Sequence, residues 1–430
     1  DTALHKVVDG ITVITKGKGA DQLGAIASPT NTVEELYLLQ KLMRSVGSDN
    51  IDHRTGQLDF SDENDAPMFP WLGQSIPDLE ENDACLLVGS NIRCDQPIAS
   101  HRLRKAALKG ANIMCVNTVD YDFNFPVSAK KIISPANMLN ELAGILKALL
   151  AMSSASLPEG LDALLSSTEA DETHKAIASQ LKEAGNSTIL LGLDAFAHAQ
   201  LAGLRALAGQ IAQLTDSKLG YLPEGGNGAG AWLAGAVPHR GVPNNKGTSK
   251  HGLNVSAMLK EQLAGYILLG VEPEVDCAES KQALEAMKQA EFVVSLNSFA
   301  NDSVKEYADV ILPISPFTET SGSFVNAEGH WQSFEGIVEP RGETRPAWKI
   351  LRVLGNLLDS EGFEYVSSQE IRDELKERIG FITPHNDMLW KCPKSLTGEA
   401  QGIESIADRP MYASDCLLRR ADSLQAVGET

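Results

Sequence analysis

Four short stretches hold the residues whose types and spacing suit chemistry. In the first, the apolar run Val310, Ile311 and Leu312 stops at Pro313. A polar loop follows with Thr318, Glu319, Thr320, Ser321, Gly322 and Ser323, then Asn326, Glu328 and Gly329. Such a run reads as a buried strand of a parallel sheet, and open α/β sheets take their ligands beyond the carboxyl ends of their strands. Carboxylates and amides gathered there, Glu319 and Asn326 foremost, can hydrogen-bond a polar ligand. In the second stretch, Gly89, Ser90 and Asn91 end the apolar run ACLLVG in a tight turn, which suits close approach of backbone to a ligand. In the third, EGGNGAG over residues 224–230 is the most glycine-dense loop, which reads as a flexible turn or as a place where chain segments pack closely.

The fourth stretch decides the metal chemistry. Asn50, Ile51, Asp52 and His53 offer a carboxylate and an imidazole, but residues 54–67 contain no Cys. Leu58 is apolar and cannot donate to a metal, which needs a thiolate, imidazole or carboxylate. Asp59 and Asp62 are oxygen donors nearby, and they also read as solvated loop acids. The six cysteines, at positions 85, 94, 115, 277, 392 and 416, form no C-x-x-C pair, and the nine histidines form no cluster. Cys85 and Cys115 lie in apolar runs and read as core. No metal site is expected.

These stretches need elements to position them. Residues 23–27 (LGAIA) read as a strand. Asn31 or Thr32 then caps a helix with Glu34 and Glu35 in its first turn and Leu36, Leu39, Gln40 and Met43 at helical spacing. A strand over 84–89, a helix over 98–109, a strand over 112–116 and a strand at 130–133 form one supersecondary unit. A second follows the same order: GYILLG at 265–270, a helix over 278–290, FVVSL at 292–296, then ADVILP. The spacing pairs Leu86 with Ile267 and Ile113 with Val293 as equivalent positions. Parallel units in one sheet need right-handed crossovers, which each helix can supply. The expected organisation is a first α/β lobe over 1–150, a connection over 151–187, a second lobe over 188–315, a segment over 316–379 returning toward the first lobe, and an irregular tail over 380–430. The fold class is α/β with two doubly wound parallel-sheet lobes, interleaved.

A chain of 430 residues with formal charge −20 argues against nucleic acid, whose phosphates are bound by clustered Lys and Arg. No apolar run reaches the roughly 20 residues that span a bilayer. No direct membrane insertion is expected.

The order of residues in several of these stretches resembles the molybdopterin oxidoreductases. The carriers are EELYLLQKLMR at 34–44, NIDH at 50–53, the turn at Gly89 to Asn91, AGAWLAGAVPHR after the glycine loop, and ADVILP with FTE, SGSFVN and EGHWQ. Together with PMYASDCLLRRADSLQ near the end, these are most similar to the large iron–sulfur subunits (the G or 75 kDa type) of respiratory complex I, NADH:quinone oxidoreductase. The resemblance spans residues 23–425 and implies the formate dehydrogenase type of fold. Active members follow NVDH with the Cys or selenocysteine that ligates molybdenum, and follow the second strand with D-P-R; this chain has neither, reading Asn117, Thr118, Val119 and Asp120 at the latter place. The resemblance therefore implies a vestigial pterin crevice at Gly89, Asn91, Gly226, Asn227, Gly230, Glu319 and Asn326, with no catalytic residue and no cofactor in this region. It also implies [2Fe–2S] and [4Fe–4S] clusters in an amino-terminal part of the family beyond this sequence, and other peripheral-arm subunits as partners. The place implied is peripheral, on the cytoplasmic side of a bacterial inner membrane or the matrix side of a mitochondrial one. An active formate dehydrogenase-like enzyme and a nucleotide-binding module without electron transfer are the alternatives. Asn326 and at least one of Glu319 or Glu328 are expected to bond within the chain and pin their loop across the lobes.

Overall fold

The computed structural model describes residues 2–153, 155, 160–243, 251–387 and 411–427. Its strands in chain order are β1 (Leu23–Ala27), β2 (Ile51–Asp52), β3 (Ala84–Val88), β4 (Asn112–Asn117), β5 (Ala129–Ile132), β6 (Ser187–Leu191), β7 (Lys218–Tyr221), β8 (Gly265–Leu269), β9 (Phe292–Asn297), β10 (Val310–Pro313), β11 (Gly322–Val325) and β12 (Trp331–Phe334). Two five-stranded sheets, parallel throughout, have the orders β10-β9-β8-β1-β2 and β5-β4-β3-β6-β7. Each belongs to its own compact unit. Unit 1 comprises residues 1–56, 224–383 and 409–430; unit 2 comprises 57–223 and 384–408.

In unit 2 the central strands β3 and β6 are buried at every position because helices cover the sheet. Leu86, Val88, Met114 and Ile189 pack against Leu142, Ile145, Ile177, Leu181, Leu204 and Leu207 in one fully buried core. The edge strand β5 has Lys130 and Lys131 in it, and charged side chains on an edge discourage pairing with another chain. The Ala- and Leu-rich residues 193–215 form a short turn (Leu193–Phe196) and a separate helix (Leu201–Thr215). His198 sits in the break, its Nε2 at 2.9 Å from the Pro135 carbonyl and its Nδ1 accepting from Gln200 N.

In unit 1 the helix Val33–Ser45 starts at Thr32, one of the two predicted caps. The Thr32 hydroxyl accepts from Glu35 N while the Glu35 carboxylate accepts from Thr32 N, a reciprocal capping box. This helix is buried on nearly every face, so it forms part of the unit's centre. The helix Ala347–Leu357 buries Trp348, Leu351 and Leu354 as their spacing predicts, and Ser367 caps the helix Ser368–Ile379.

The repeat holds at the level of single residues. Cys85 is registered with Ile113, and Tyr266 with Val293, which makes Leu86 equivalent to Ile267 and Ile113 to Val293.

Three expectations need correction. The lobe boundaries differ: β1 and β2 do not join β3; β1 pairs with β8 and β2 with β1, so residues 1–56 share a sheet with residues from the second predicted lobe. Residues 172–183 of the predicted connection are a helix of unit 2 with Ile177, Ala178 and Leu181 buried, and residues 188–223 also belong to unit 2. The polar stretch after β10 is only partly loop, because β11 and β12 form an antiparallel hairpin within it. A five-residue strand reports its own period but not its partner, so local reading reaches the elements and misses these pairings.

Candidate functional site

Ligands of open α/β sheets lie beyond strand carboxyl ends at the point where strand order reverses. In unit 2 that point is between β3 and β6. Gly89 leaves β3 at φ 57°, and a Cβ there would stand 2.6 Å from Ala195 N, so only glycine fits. Gly192, after β6, has its Cβ space taken by Ser90 in the same way. The fully buried Asn117, last residue of β4, holds the turn: its Oδ1 accepts from Ser90 N at 2.9 Å and its Nδ2 donates to Ser90 O at 3.1 Å. Asn91 is half-exposed and begins a short helical turn, its carbonyl accepting from Cys94 N and Asp95 N. The glycines of this turn thus serve contact between the protein's own backbones.

In unit 1 the corresponding point lies between β8 and β1. Gly270 leaves β8 at φ 65°, with the Asn31 side chain in the space a Cβ would need. Beside it runs the glycine-rich loop. Asn227, 0% exposed, donates through Nδ2 to Asn31 O (2.7 Å) and accepts at Oδ1 from Val325 N in β11 (2.8 Å), while its own N–H donates to Pro29 O. Gly230 makes room for that side chain, since a Cβ there would lie 2.0 Å from Asn227 Oδ1. Gly226 is exposed, and a Cβ would meet only Phe324, at 3.8 Å. The loop and β11 are therefore brought together, with Asn227 as the joint.

The remaining predicted residues bond locally. Asn326 Oδ1 accepts from Glu328 N and His330 N, and its Nδ2 donates to Glu328 at 2.9 Å, closing the β11–β12 turn. Glu319 accepts from Arg341 N at 3.0 Å and from the Thr344 hydroxyl at 3.4 Å. Both are satisfied within the chain, as expected. Their bonds close one turn and one neighbouring loop of unit 1 rather than spanning the lobes.

The sequence motifs around position 52 form a buried knot. Asp52 accepts from His53 N, Arg54 N, Arg54 Nε and Nη2, and Val255 N. Burial pushes its carboxyl up, but the Arg54 guanidinium beside it prevails and holds it below the usual range. Burial lowers His53 to about 4 against the pull of Asp52, and its Nδ1–H donates to the Ala236 carbonyl at 2.8 Å.

Sequence reading missed three residues that hold the site. Glu34 is 1% exposed and accepts from Ser323 N in β11 at 2.8 Å; burial raises its carboxyl to about 7. Arg44 donates to the carbonyls of Gly235, Val237 and Arg240, fixing the chain that follows the glycine loop. Asn117 is the third. The two adjacent acids of the first helical turn read as partners of the helix dipole, and nothing local signals that one faces a strand some 290 residues later.

The doubly wound sheets and the ligand-side turns define a class of α/β protein, and the comparisons give the family. Residues 1–357 match the molybdopterin oxidoreductase family, and the chain belongs to it. It is 26% identical over 371 residues to a G-type NADH-quinone oxidoreductase subunit of Rhizobium meliloti, covering 77% of this chain and 42% of that one. It is 23% identical over 462 residues to the assimilatory nitrate reductase catalytic subunit of Bacillus subtilis, covering 92% of this chain and 65% of that one. Among solved structures, acetylene hydratase from Pelobacter acetylenicus superposes with a TM-score of 0.63 at 15% identity, over 88% of this chain and 60% of that one. The chain spans less than half the length of the G-type NADH-quinone oxidoreductase relatives it matches.

The described residues do not fit the metal that the family name implies. Among the described residues no group of three or more His, Cys, Asp or Glu is placed to hold an ion. Asp59 accepts from Ala202 N, and Asp62 is paired with the buried Arg205. The buried thiols of Cys85 and Cys277 are held well above their ordinary range by burial, and Cys115 is raised to about 11. Cys392 lies outside the described residues. No described helix is long and apolar enough to cross a membrane.

Proposed function

We propose that this chain is the molybdopterin-oxidoreductase-like region of a G-type large iron–sulfur subunit of NADH:quinone oxidoreductase, and that it performs no redox step itself. The observation that carries the reading is the use of Asn227: a fully buried amide in the family's glycine loop has both ends bonded to the protein's own backbone. Glu319, Asn326, Asp59 and Asp62 support it, each bonded within the chain to backbone or to a side chain. An oxidoreductase fold whose described residues include no cluster placed to hold a metal then serves as a scaffold. Electrons pass from NADH to quinone along iron–sulfur clusters held in other parts of the subunit and complex, and this region braces them and meets neighbouring peripheral-arm subunits. The similarity to NADH-quinone oxidoreductase relatives favours that assignment over an active nitrate reductase or formate dehydrogenase type. Its place is peripheral, on the cytoplasmic face of a bacterial membrane or the matrix face of a mitochondrial one.

Metal and pterin analysis of the purified protein tests the reading. The expected result is no stoichiometric molybdenum or tungsten and no fluorescent oxidised pterin. Near-equimolar metal with formate oxidation by an artificial acceptor overturns it.

One observation favours a second reading, a nucleotide-binding module. Asn31 Oδ1 and Ser90 Oγ, one at each reversal point, are buried with no partner among the described residues. Equilibrium dialysis against a nucleoside diphosphate checks it; retention at micromolar concentration would support this reading over the scaffold.

A further inference from the structure

Unit 1 carries a second feature at its ligand edge, formed by a segment distant in sequence. Glu272 follows β8 by three residues and Phe299 follows β9 by two; because the strands are parallel, both stand at the same carboxyl edge. Asp276 joins them, its Oδ2 accepting from Glu272 N at 2.7 Å. Glu272 and Asp276 are 1% and 5% exposed. Two buried carboxylates side by side repel each other and need a cationic occupant.

That occupant comes from residues 411–427. Arg419 places Nη1 on Glu272 and Nη2 on Asp276, each at 2.5 Å. Arg420 reaches the other Glu272 oxygen and lays its guanidinium over the Phe299 ring, 4.7 Å from the centroid. The segment arranges both arginines beforehand: Arg419 also donates to Ala413 O, Arg420 to Cys416 O, and Asp415 accepts from Leu417 N and Leu418 N. Planar guanidinium forks match carboxylates and stack on rings, so a two-arginine turn suits an edge of two acids and one aromatic. Even with Arg419 beside it, burial leaves Asp276 raised to about 6, which indicates how closed the edge is.

We propose that residues 411–427 are the resident occupant of the ligand edge of unit 1, and that the Arg419–Arg420 pair closes this edge to small molecules of the nucleoside diphosphate class. This deepens the scaffold reading and rests on it only for which edge is meant. A strand-end edge of the kind where open α/β sheets take ligands is filled here by the chain's own guanidinium groups. Closure depends on ion pairs, so it reverses when the segment is released.

Hydrogen exchange on the whole chain tests this. The amides of residues 416–427 should exchange about tenfold or more slowly in the wild type than in Arg419→Ala/Arg420→Ala, as expected when a docked segment becomes a frayed one. The β8 amides should stay protected in both; if they do not, the variant has lost its fold, and Arg419→Lys/Arg420→Lys serves for the same comparison. Exchange of the segment at equal rates in wild type and variant overturns the proposal. So does binding of fluorescent guanosine diphosphate by a wild type whose segment remains protected. Either result leaves the metal and pterin analysis unaffected, so the two failures are distinguishable.

Discussion

Unit 1 and unit 2 build the same five-stranded sheet from differently ordered chain. In unit 2 the strands come in one continuous run, β3 to β7. In unit 1 the two strands on one side, β1 and β2, precede the strands of unit 2, and β8 to β10 follow them. The correspondence reaches the turns. Gly89 and Gly270 follow the central strands, both at positive φ, and each N–H donates at 2.9 Å to the neighbouring strand, at Val116 and Leu296. The next strand ends in asparagine in both units. Asn117 grips Ser90 with two short bonds, whereas Asn297 reaches the equivalent Val271 carbonyl at only 3.5 Å. In unit 2 the asparagine grips the turn directly, while in unit 1, where it holds loosely, Arg419 and Arg420 bind the adjoining Glu272. The same architecture is thus stabilised at its ligand edge by a local amide in one unit and by a distant segment in the other.

The largest effect should come from the tight clamp. Asn117→Ala removes two buried bonds and leaves the Ser90 N–H and carbonyl unpaired, a loss of about 2–4 kcal/mol in denaturant unfolding. If it proves neutral, the turn of unit 2 is held by something other than the asparagine.

A second effect, dependent on pH, should come from Glu34. Its folded value, about 7, stands above the ordinary carboxyl value of 4.5. The folded state therefore prefers the protonated form, and stability declines as pH rises from the unfolded value through the folded one. Glu34→Gln keeps an acceptor for Ser323 N and removes the buried charge. It should be more stable than the wild type by about 3 kcal/mol at pH 8 and equal to it below the ordinary carboxyl value. A melting-temperature difference that does not change between these pH values would contradict the assignment.

The smallest belongs to the loose clamp. Asn297→Ala should cost less than about 1 kcal/mol, and an effect as large as that of Asn117→Ala would erase the contrast between the units.

Much of this was legible in the sequence. Strands β1, β3, β4, β5, β8, β9 and β10, the Thr32 cap, the repeat and its equivalent residues follow from apolar runs, turn residues and spacing, which are local. The assignment of β1 to the sheet of β8 was not, because pairing partners leave no trace in a short strand. The hairpin β11–β12 hid inside a stretch whose Ser, Gly and Asn read as loop, since its strands are four residues each and only partly buried. Of the candidate site, positions were legible and roles were not. Asn227 reads as a ligand contact until the Asn31 carbonyl and the Val325 amide are seen on either side of it. Glu34 carries no local sign of its burial.

The central claim is that the polar residues of the ligand edge serve the protein's own backbone. Asn227→Ala tests it most directly, measured by thermal and denaturant unfolding together with equilibrium dialysis against guanosine diphosphate. The account predicts a loss of about 2–4 kcal/mol and no nucleotide retained by either protein. Unaltered stability, with nucleotide bound by the wild type and not by the variant, would contradict it.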